Sequence, residues 1–370
     1  MDTLPPLDDQ ERARYSRHLL LGQVGEAGQR RLKASRVLIV GAGGLGAPVA
    51  LYLAAAGVGR IGLVDFDVVD QSNLQRQILF ETHDVGRLKV EVAAQRLRAR
   101  NPHIEVVTYP VRLDAHNALD IAADYDLIVD GADNFATRYL TNDLAVLTGK
   151  PLIYGAIFQF DGQATVFAHR DGPCYRCLYP EPPPPELAPN CAEAGVLGVL
   201  PGLIGLIQAT EALKCLLGQG DSLAGRLLTL DALSMTFREL FITRDPACPV
   251  CGDDPTIRSL ADTAVTCAAI TAAAQSPWDL SPAELERAGP HTLIDVRTPA
   301  EAAVDTLGGT LIPLDTLPDR LSEIPKDSKV IVYCQVGRRS ARAVELLRAA
   351  GHSDVWNLRG GLVAWRSRPA

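Results

Sequence analysis

The hexapeptide Gly41-Ala42-Gly43-Gly44-Leu45-Gly46 constrains this chain more than any other feature. Residues 34–40 before it read as a short buried strand and an apolar stretch follows it, so the glycines occupy a strand-to-helix turn. Such a turn lets backbone amides and a helix N-terminus approach phosphate, because glycine has no Cβ to hold a ligand away. Asp65 lies 19 residues beyond Gly46, at the end of the next apolar run, where a carboxylate could hold ribose hydroxyls. These residues alone suit a nicotinamide dinucleotide as well as a mononucleotide, and a turn made only for close packing has the same glycines.

The surrounding pattern predicts a doubly wound α/β sheet. Residues 9–32 have helical spacing, 60–65 and 125–130 read as strands, and 88–100 as a helix. Strand-like segments within 151–168 extend the sheet with antiparallel members. Six prolines between Tyr179 and Asn190 exclude regular helix or central strand there. A helix is expected over 198–217 and a strand at 226–230. Residues 253–276, rich in small side chains, read as a linker between a first domain, 1–252, and a second, 277–370. In the second, 291–297 and 329–334 look like buried parallel strands and 340–350 like a helix, giving a smaller α/β domain.

Charge narrows the partners. With 44 acidic and 36 basic residues the chain carries −8, which argues against nucleic acid and against a polybasic membrane contact. The longest uncharged apolar run, 194–207, has 14 residues and contains Pro201, too short to span a bilayer. The first residues have neither a basic nor an apolar signal region, so a cytoplasmic protein is expected. Its eight cysteines then stay mostly unpaired and point to metal or sulfur chemistry.

Cys174-Tyr175-Arg176-Cys177 and Cys248-Pro249-Val250-Cys251 are two C-x-x-C knuckles. Together they offer the four thiolates of a closed, structural Zn²⁺ site; a thioredoxin-like redox pair is the competing reading of either one. Cys191 follows the proline stretch and precedes a helix, a setting that could expose a partly ionised thiol. Cys334 opens the loop Cys334-Gln335-Val336-Gly337-Arg338-Arg339 between a buried strand and a helix, where loop amides and the helix dipole would stabilise a thiolate or persulfide and two arginines add positive potential. Cys215 and Cys267 have no assigned role.

Five motifs in the first domain agree with one family. Arg14-Tyr15-Ser16-Arg17-His18, Asp65-Phe66-Asp67, Ser72-Asn73-Leu74-Gln75-Arg76-Gln77, Lys89 and Asp130-Gly131-Ala132-Asp133-Asn134 resemble the adenylating domain of ubiquitin-activating enzymes and of the bacterial activators of molybdopterin and thiamine sulfur carriers. The resemblance covers about residues 9–252. It implies an ATP site with Mg²⁺: Gly41, Gly43, Gly44, Ser72, Leu74, Gln75 and Asn134 at the nucleotide, Asp65 on ribose, Asn73 orienting the phosphates, Arg76 and Lys89 contacting them, and Asp133 holding the metal. It further implies that Arg17 reaches a neighbouring subunit's site, hence a homodimer, that the paired knuckles bind zinc, and that Cys191 accepts or resolves an acyl intermediate. These residue types suit attack of a carboxylate on ATP, where anions meet and cations must offset their charge.

The second domain resembles a rhodanese sulfurtransferase through the Cys334 loop, Leu293-Ile294-Asp295-Val296-Arg297 and Gly360-Gly361-Leu362-Val363-Ala364-Trp365. A cysteine phosphatase would need arginine where this chain has Ser340. Residues 305–310 depart from the family, lacking its usual histidine and proline. The two resemblances imply an enzyme that adenylates the terminal glycine of a small ubiquitin-like carrier ending in Gly-Gly and makes its thiocarboxylate from a persulfide on Cys334, loaded by a cysteine desulfurase or thiosulfate. The alternatives are a sulfur relay on a scaffold domain and a nicotinamide oxidoreductase.

Overall fold

The structure, a computed structural model, describes residues 4–181, 195–263 and 277–366. Cys191 and Cys267 lie outside them. The described residues divide into two compact units, one through residue 263 and one from residue 277.

The first unit is built on one eight-stranded sheet in the order β3-β2-β1-β4-β5-β6-β7-β8. Its strands are β1 (Arg36–Val40), β2 (Arg60–Val64), β3 (Glu105–Tyr109), β4 (Leu127–Asp130), β5 (Leu152–Phe158), β6 (Asp161–Phe167), β7 (Arg226–Asp231) and β8 (Thr236–Phe241). The first five are mutually parallel and the last three join antiparallel, as the alternating stretch near 163–168 predicts. β1, β2 and β4 read as continuous apolar runs because both their faces are covered. Val37, Ile39, Ile61 and Leu63 pack with the helices Gly46–Ala56, Lys89–Arg100 and Leu200–Leu217; Leu38, Val40, Val64 and Ile128 pack with Ala118–Ala123 and Phe135–Thr148.

The helix Leu200–Leu217 is long and apolar enough to cross a membrane. Here it packs on β5, β6 and the helix Gly46–Ala56. Two of its buried side chains tie it to the sheet and the following loop: Gln208 Nε2 donates to the Asp130 carbonyl at 2.8 Å, and Glu211 accepts from the Leu223 amide at 2.8 Å.

One boundary needs correction. Residues 253–263, read as the start of the linker, pack on the first unit instead. Leu260 joins the core around Tyr139, and the buried Thr263 hydroxyl donates to Asp143 at 2.7 Å. Ile257, Leu260 and Thr263 anchor this stretch, while Ser259 and Ala261 between them stay exposed.

The second unit has five parallel strands, β9 (Asp279–Leu280), β10 (Thr292–Asp295), β11 (Thr310–Leu311), β12 (Val330–Tyr333) and β13 (Val355–Leu358), in the order β11-β10-β12-β13-β9. The helix Arg338–Ala349 packs Ala343, Val344 and Leu347 over β12 and β13.

Candidate functional site

Register brings the first site together. Val40 at the end of β1 lies beside Val64 of β2 and Asp130 of β4, so the loops leaving these strands share one edge, at the point where strand order reverses. Gly41 has φ +94°, and a Cβ there would lie 2.7 Å from the Gly131 carbonyl oxygen; at Gly46 it would lie 1.9 Å from that of Gly41. Both positions therefore require glycine. At Gly43 the space is open, the nearest atom to an added Cβ being Gln77 Nε2 at 3.5 Å.

Asp65 ties the glycine loop to β2: its two oxygens accept from the amides of Ala42 (2.8 Å) and Asp67 (2.9 Å). Burial pushes its carboxyl above the ordinary range, while Lys89 and the two amides pull it down. Lys89 is 5% exposed and pairs with Asp67 Oδ2 at 2.8 Å. Asp70 accepts the Ser72 amide at 2.8 Å and gives its own amide to Asn73, and Arg76 donates to the Ser72 carbonyl at 3.0 Å. That turn carries Arg76 to the glycine loop, with its Cγ 3.7 Å from a Cβ placed at Gly44. Leu74 and Gln75 lie on the same turn, where a Cβ at Gly198 would meet Gln75 Oε1 at 2.4 Å. The chain beyond Cys191 thus returns to this edge. Asp133 and Asn134 are exposed; Asn134 caps the helix Phe135–Thr148 by accepting from the Thr137 amide at 2.9 Å.

Arg17 is not drawn into this cluster. Its neighbours fix it elsewhere: Tyr15 abuts Gly57, and His18 meets Gln29, which donates to the Ala56 carbonyl at 2.7 Å. Both anchors hold the end of the helix Gly46–Ala56 opposite the glycine loop.

The four knuckle cysteines converge. Their sulfurs all lie within 4.8 Å of one another, with Cys174 to Cys248 at 3.6 Å, Cys177 to Cys251 at 3.3 Å and Cys174 to Cys177 at 3.9 Å. Zn–S bonds of about 2.3 Å in a tetrahedron demand S···S edges of about 3.8 Å, so the set fits Zn²⁺ and leaves no open position. Since both knuckles contribute to one cluster, neither stands alone as a redox pair.

In the second unit Cys334 is fully buried at the end of β12, and its sulfur accepts from the Gly337 amide at 3.2 Å and the Ser340 hydroxyl at 3.4 Å. Gly337 reaches φ +91° to turn its amide inward. The Gly360-Gly361 pair acts from below: a Cβ at Gly361 would come within 2.3 Å of the Cys334 carbonyl, which accepts from the Leu362 amide at 2.9 Å. Arg297, almost wholly buried, pairs with Asp295 and donates to Gln335 Oε1 at 3.1 Å. The positive potential expected from two loop arginines is smaller than their number implies, because Arg339 pairs with Glu301. The atypical loop 305–310 is nonetheless fixed. The Asp305 carbonyl accepts from Arg297 at 2.6 Å, and the Tyr333 hydroxyl takes the Leu307 amide at 3.2 Å and donates to the Gly308 carbonyl at 2.9 Å.

The sequence does not single out Asp130, which lies inside the motif 130–134, or Arg138 beyond it. An acid closing an apolar strand and an arginine on the next helix were the available signals.

The ThiF family matches residues 15–250, and the rhodanese-like domain matches 281–368. A "probable adenylyltransferase/sulfurtransferase MoeZ" of Mycobacterium tuberculosis is 46% identical, covering 98% of this chain and 96% of that protein. A "sulfur carrier protein adenylyltransferase" of Thermus thermophilus is 58% identical over 70% of this chain and 97% of its own length. An "adenylyltransferase and sulfurtransferase MOCS3" of Sus scrofa is 42% identical over 99% of this chain and 88% of that protein. The crystal structure of Escherichia coli MccB with ATP shares the fold, at a TM-score of 0.56 and 24% identity, over 64% of this chain and 74% of that one.

Proposed function

The chain belongs to the ThiF family and carries a rhodanese-like domain after it, and from that premise we propose that it adenylates the C-terminal glycine of a small ubiquitin-like sulfur carrier with ATP and converts that carboxyl group into a thiocarboxylate. It is an adenylyltransferase and sulfurtransferase, as its relatives are named. The observation that carries the reading is the presence on one chain of two centres: a glycine loop flanked by Arg76, Lys89 and Asp133, and a cysteine sulfur held by a strand-to-helix loop.

In the first step a carrier carboxylate oxygen attacks the α-phosphorus, an acyl–phosphate bond forms, and pyrophosphate leaves. Gly43 and Gly44 let the phosphates approach the main chain, Asp65 receives ribose, Asn73 orients the phosphates, and Arg76 and Lys89 offset their charge. Lys89 would exchange Asp67 for phosphate as the nucleotide arrives. Asp133, exposed at the strand edge, would hold Mg²⁺, whose part is to neutralise charge on the departing pyrophosphate.

In the second step the terminal sulfur of a Cys334 persulfide attacks the acyl carbon and AMP leaves, giving an acyl disulfide. A second thiol then attacks the Cys334 sulfur and releases the thiocarboxylate, leaving a disulfide for an external thiol to reduce; Cys191 is the residue we assign to that role. Gly337 and Ser340 stabilise the anionic sulfur that the exchange returns to Cys334. The pathway served is molybdopterin, thiamine or tRNA thiolation, in the cytoplasm, with a cysteine desulfurase or thiosulfate as donor.

ATP–pyrophosphate exchange tests the first step. Exchange that depends on a carrier ending in Gly-Gly is expected, and it should persist in Cys334→Ala while mass spectrometry finds no thiocarboxylate. Failure of every tested carrier to elicit exchange, with persulfide still forming on Cys334, would leave a sulfur relay on a scaffold domain.

A further inference from the structure

The turn that presents Asp133 is held from two sides by groups that the mechanism above leaves without a task. Asp130 ends β4 and is fully buried, and its Oδ1 accepts the Ala132 amide at 2.9 Å. Arg138, from the first turn of the helix Phe135–Thr148, donates through Nη2 to the carbonyl of the same residue, Ala132, at 3.0 Å. The two side chains face each other, Arg138 Nε lying 3.6 Å from Asp130 Oδ2, and neither of these two buried atoms has a hydrogen-bond partner. The guanidinium stacks 5.4 Å from the Tyr154 ring.

Burying an arginine is costly, and a two-pronged pair with a neighbouring carboxylate is the common way to offset it. Arg138 forgoes that geometry: it lies against Phe135, Tyr154 and Tyr175, with a side-chain hydrogen bond to Tyr175, and gives Nη2 to a main-chain carbonyl. The peptide planes on both sides of Ala132 are thereby fixed, one by Asp130 and one by Arg138, and the second of these planes leads directly into Asp133.

We propose that Arg138, with Asp130, is a positioning residue for Asp133: the pair sets the backbone of Ala132 and so aims the Asp133 carboxylate at the metal–nucleotide complex. This rests on the reading of Asp133 as the Mg²⁺ ligand. Partners one shell removed from a metal typically govern its affinity by about 10- to 100-fold.

The test is the gain in ATP affinity that Mg²⁺ confers on the full-length protein, measured calorimetrically with and without the metal, alongside pyrophosphate exchange. The double variant Asp130→Asn/Arg138→Met removes both buried charges together and with them the donor to Ala132. It should lose about tenfold of the Mg²⁺-dependent gain, with metal-free ATP binding unchanged and zinc content retained. Arg138→Lys, which keeps the charge on a single donor, should fall between it and the parent. A folded double variant with the parent's Mg²⁺ response overturns the proposal. Should the double variant lose its zinc, Arg138→Lys decides alone, and a parental response in it has the same consequence. If Asp133→Ala itself leaves the Mg²⁺ gain intact, the underlying assignment of Asp133 fails and the positioning role falls with it.

Discussion

A carboxyl group buried at the end of a parallel strand must find a cation or hold its proton, and Asp130 does part of each. Burial pushes it up to about 6, against the pull of Arg138 and the Ala132 amide and with a further push from Asp133. An unfolded aspartate titrates near 3.9. The folded state therefore binds the proton more tightly, so this group's contribution is greatest below the unfolded value and is lost as pH rises through about 6. Between pH 5 and pH 7.5 the loss should be on the order of 1 kcal/mol. Urea unfolding of the parent and Asp130→Asn at those two pH values isolates it, since every other group titrates in both proteins; the difference between the two should shift by that amount in the parent's favour at pH 5. A difference independent of pH would mean that Asp130 is ionised throughout. Glu301 goes the opposite way. Burial opposes its ionisation, but the bonds from Arg339 and Thr298 hold it down at about 2, so its stabilisation is complete above the usual glutamate range and fades only towards that value.

Strands buried on both faces were readable from the chain because each carries an apolar run: 37–40 in β1, 61–64 in β2, 127–129 in β4 and 330–333 in β12. Edge strands were not. β3 is half-buried and polar at intervals, and β8 is exposed along its whole length, so neither carries an apolar run or a one-sided alternation. The glycine loop was legible because Gly41 and Gly46 allow no other residue, whereas the helix Phe135–Thr148 begins with an asparagine cap that is also the last residue of the motif 130–134. The knuckles showed the four converging cysteines but not what they support. Arg176, between two of them, makes a two-pronged pair with the buried Asp143, both contacts at 2.8 Å, and Asp143 also takes the Thr263 hydroxyl. A metal site so tied to a buried ion pair should carry much of the first unit's stability. Removing zinc by chelation, or weakening its site with Cys177→Ser, should lower the first unit's melting transition by about 10 °C or more and leave the second unit's unchanged. Calorimetry of the full chain, with zinc measured by elemental analysis, checks this; one zinc per chain is expected, and an unmoved transition after its loss would make the metal incidental.

The two activities could be assigned to two stretches of sequence because each centre draws its residues from neighbouring loops of one sheet edge, but the number of chains in a working site is a property of the assembly. Here the position of Arg17 becomes informative. Tyr15 and His18 pin its segment to the far end of the helix Gly46–Ala56, whose 11 residues span about 16 Å, away from the glycine loop of the same chain. An arginine so placed serves a phosphate site only if a second copy brings its own glycine loop to it. Complementation separates the possibilities. Arg17→Ala and Asp133→Ala should each abolish exchange when prepared alone. In a mixed dimer one site would hold both substitutions, while the other would combine an intact Asp133 with an intact Arg17 from the neighbour. Equal mixing with random reassociation makes half the dimers mixed, each with one working site of two, so about a quarter of the parental exchange should return. Arginine acting within its own chain predicts none, because every site would then lack one residue or the other, and that result would confine the adenylation centre to a single subunit.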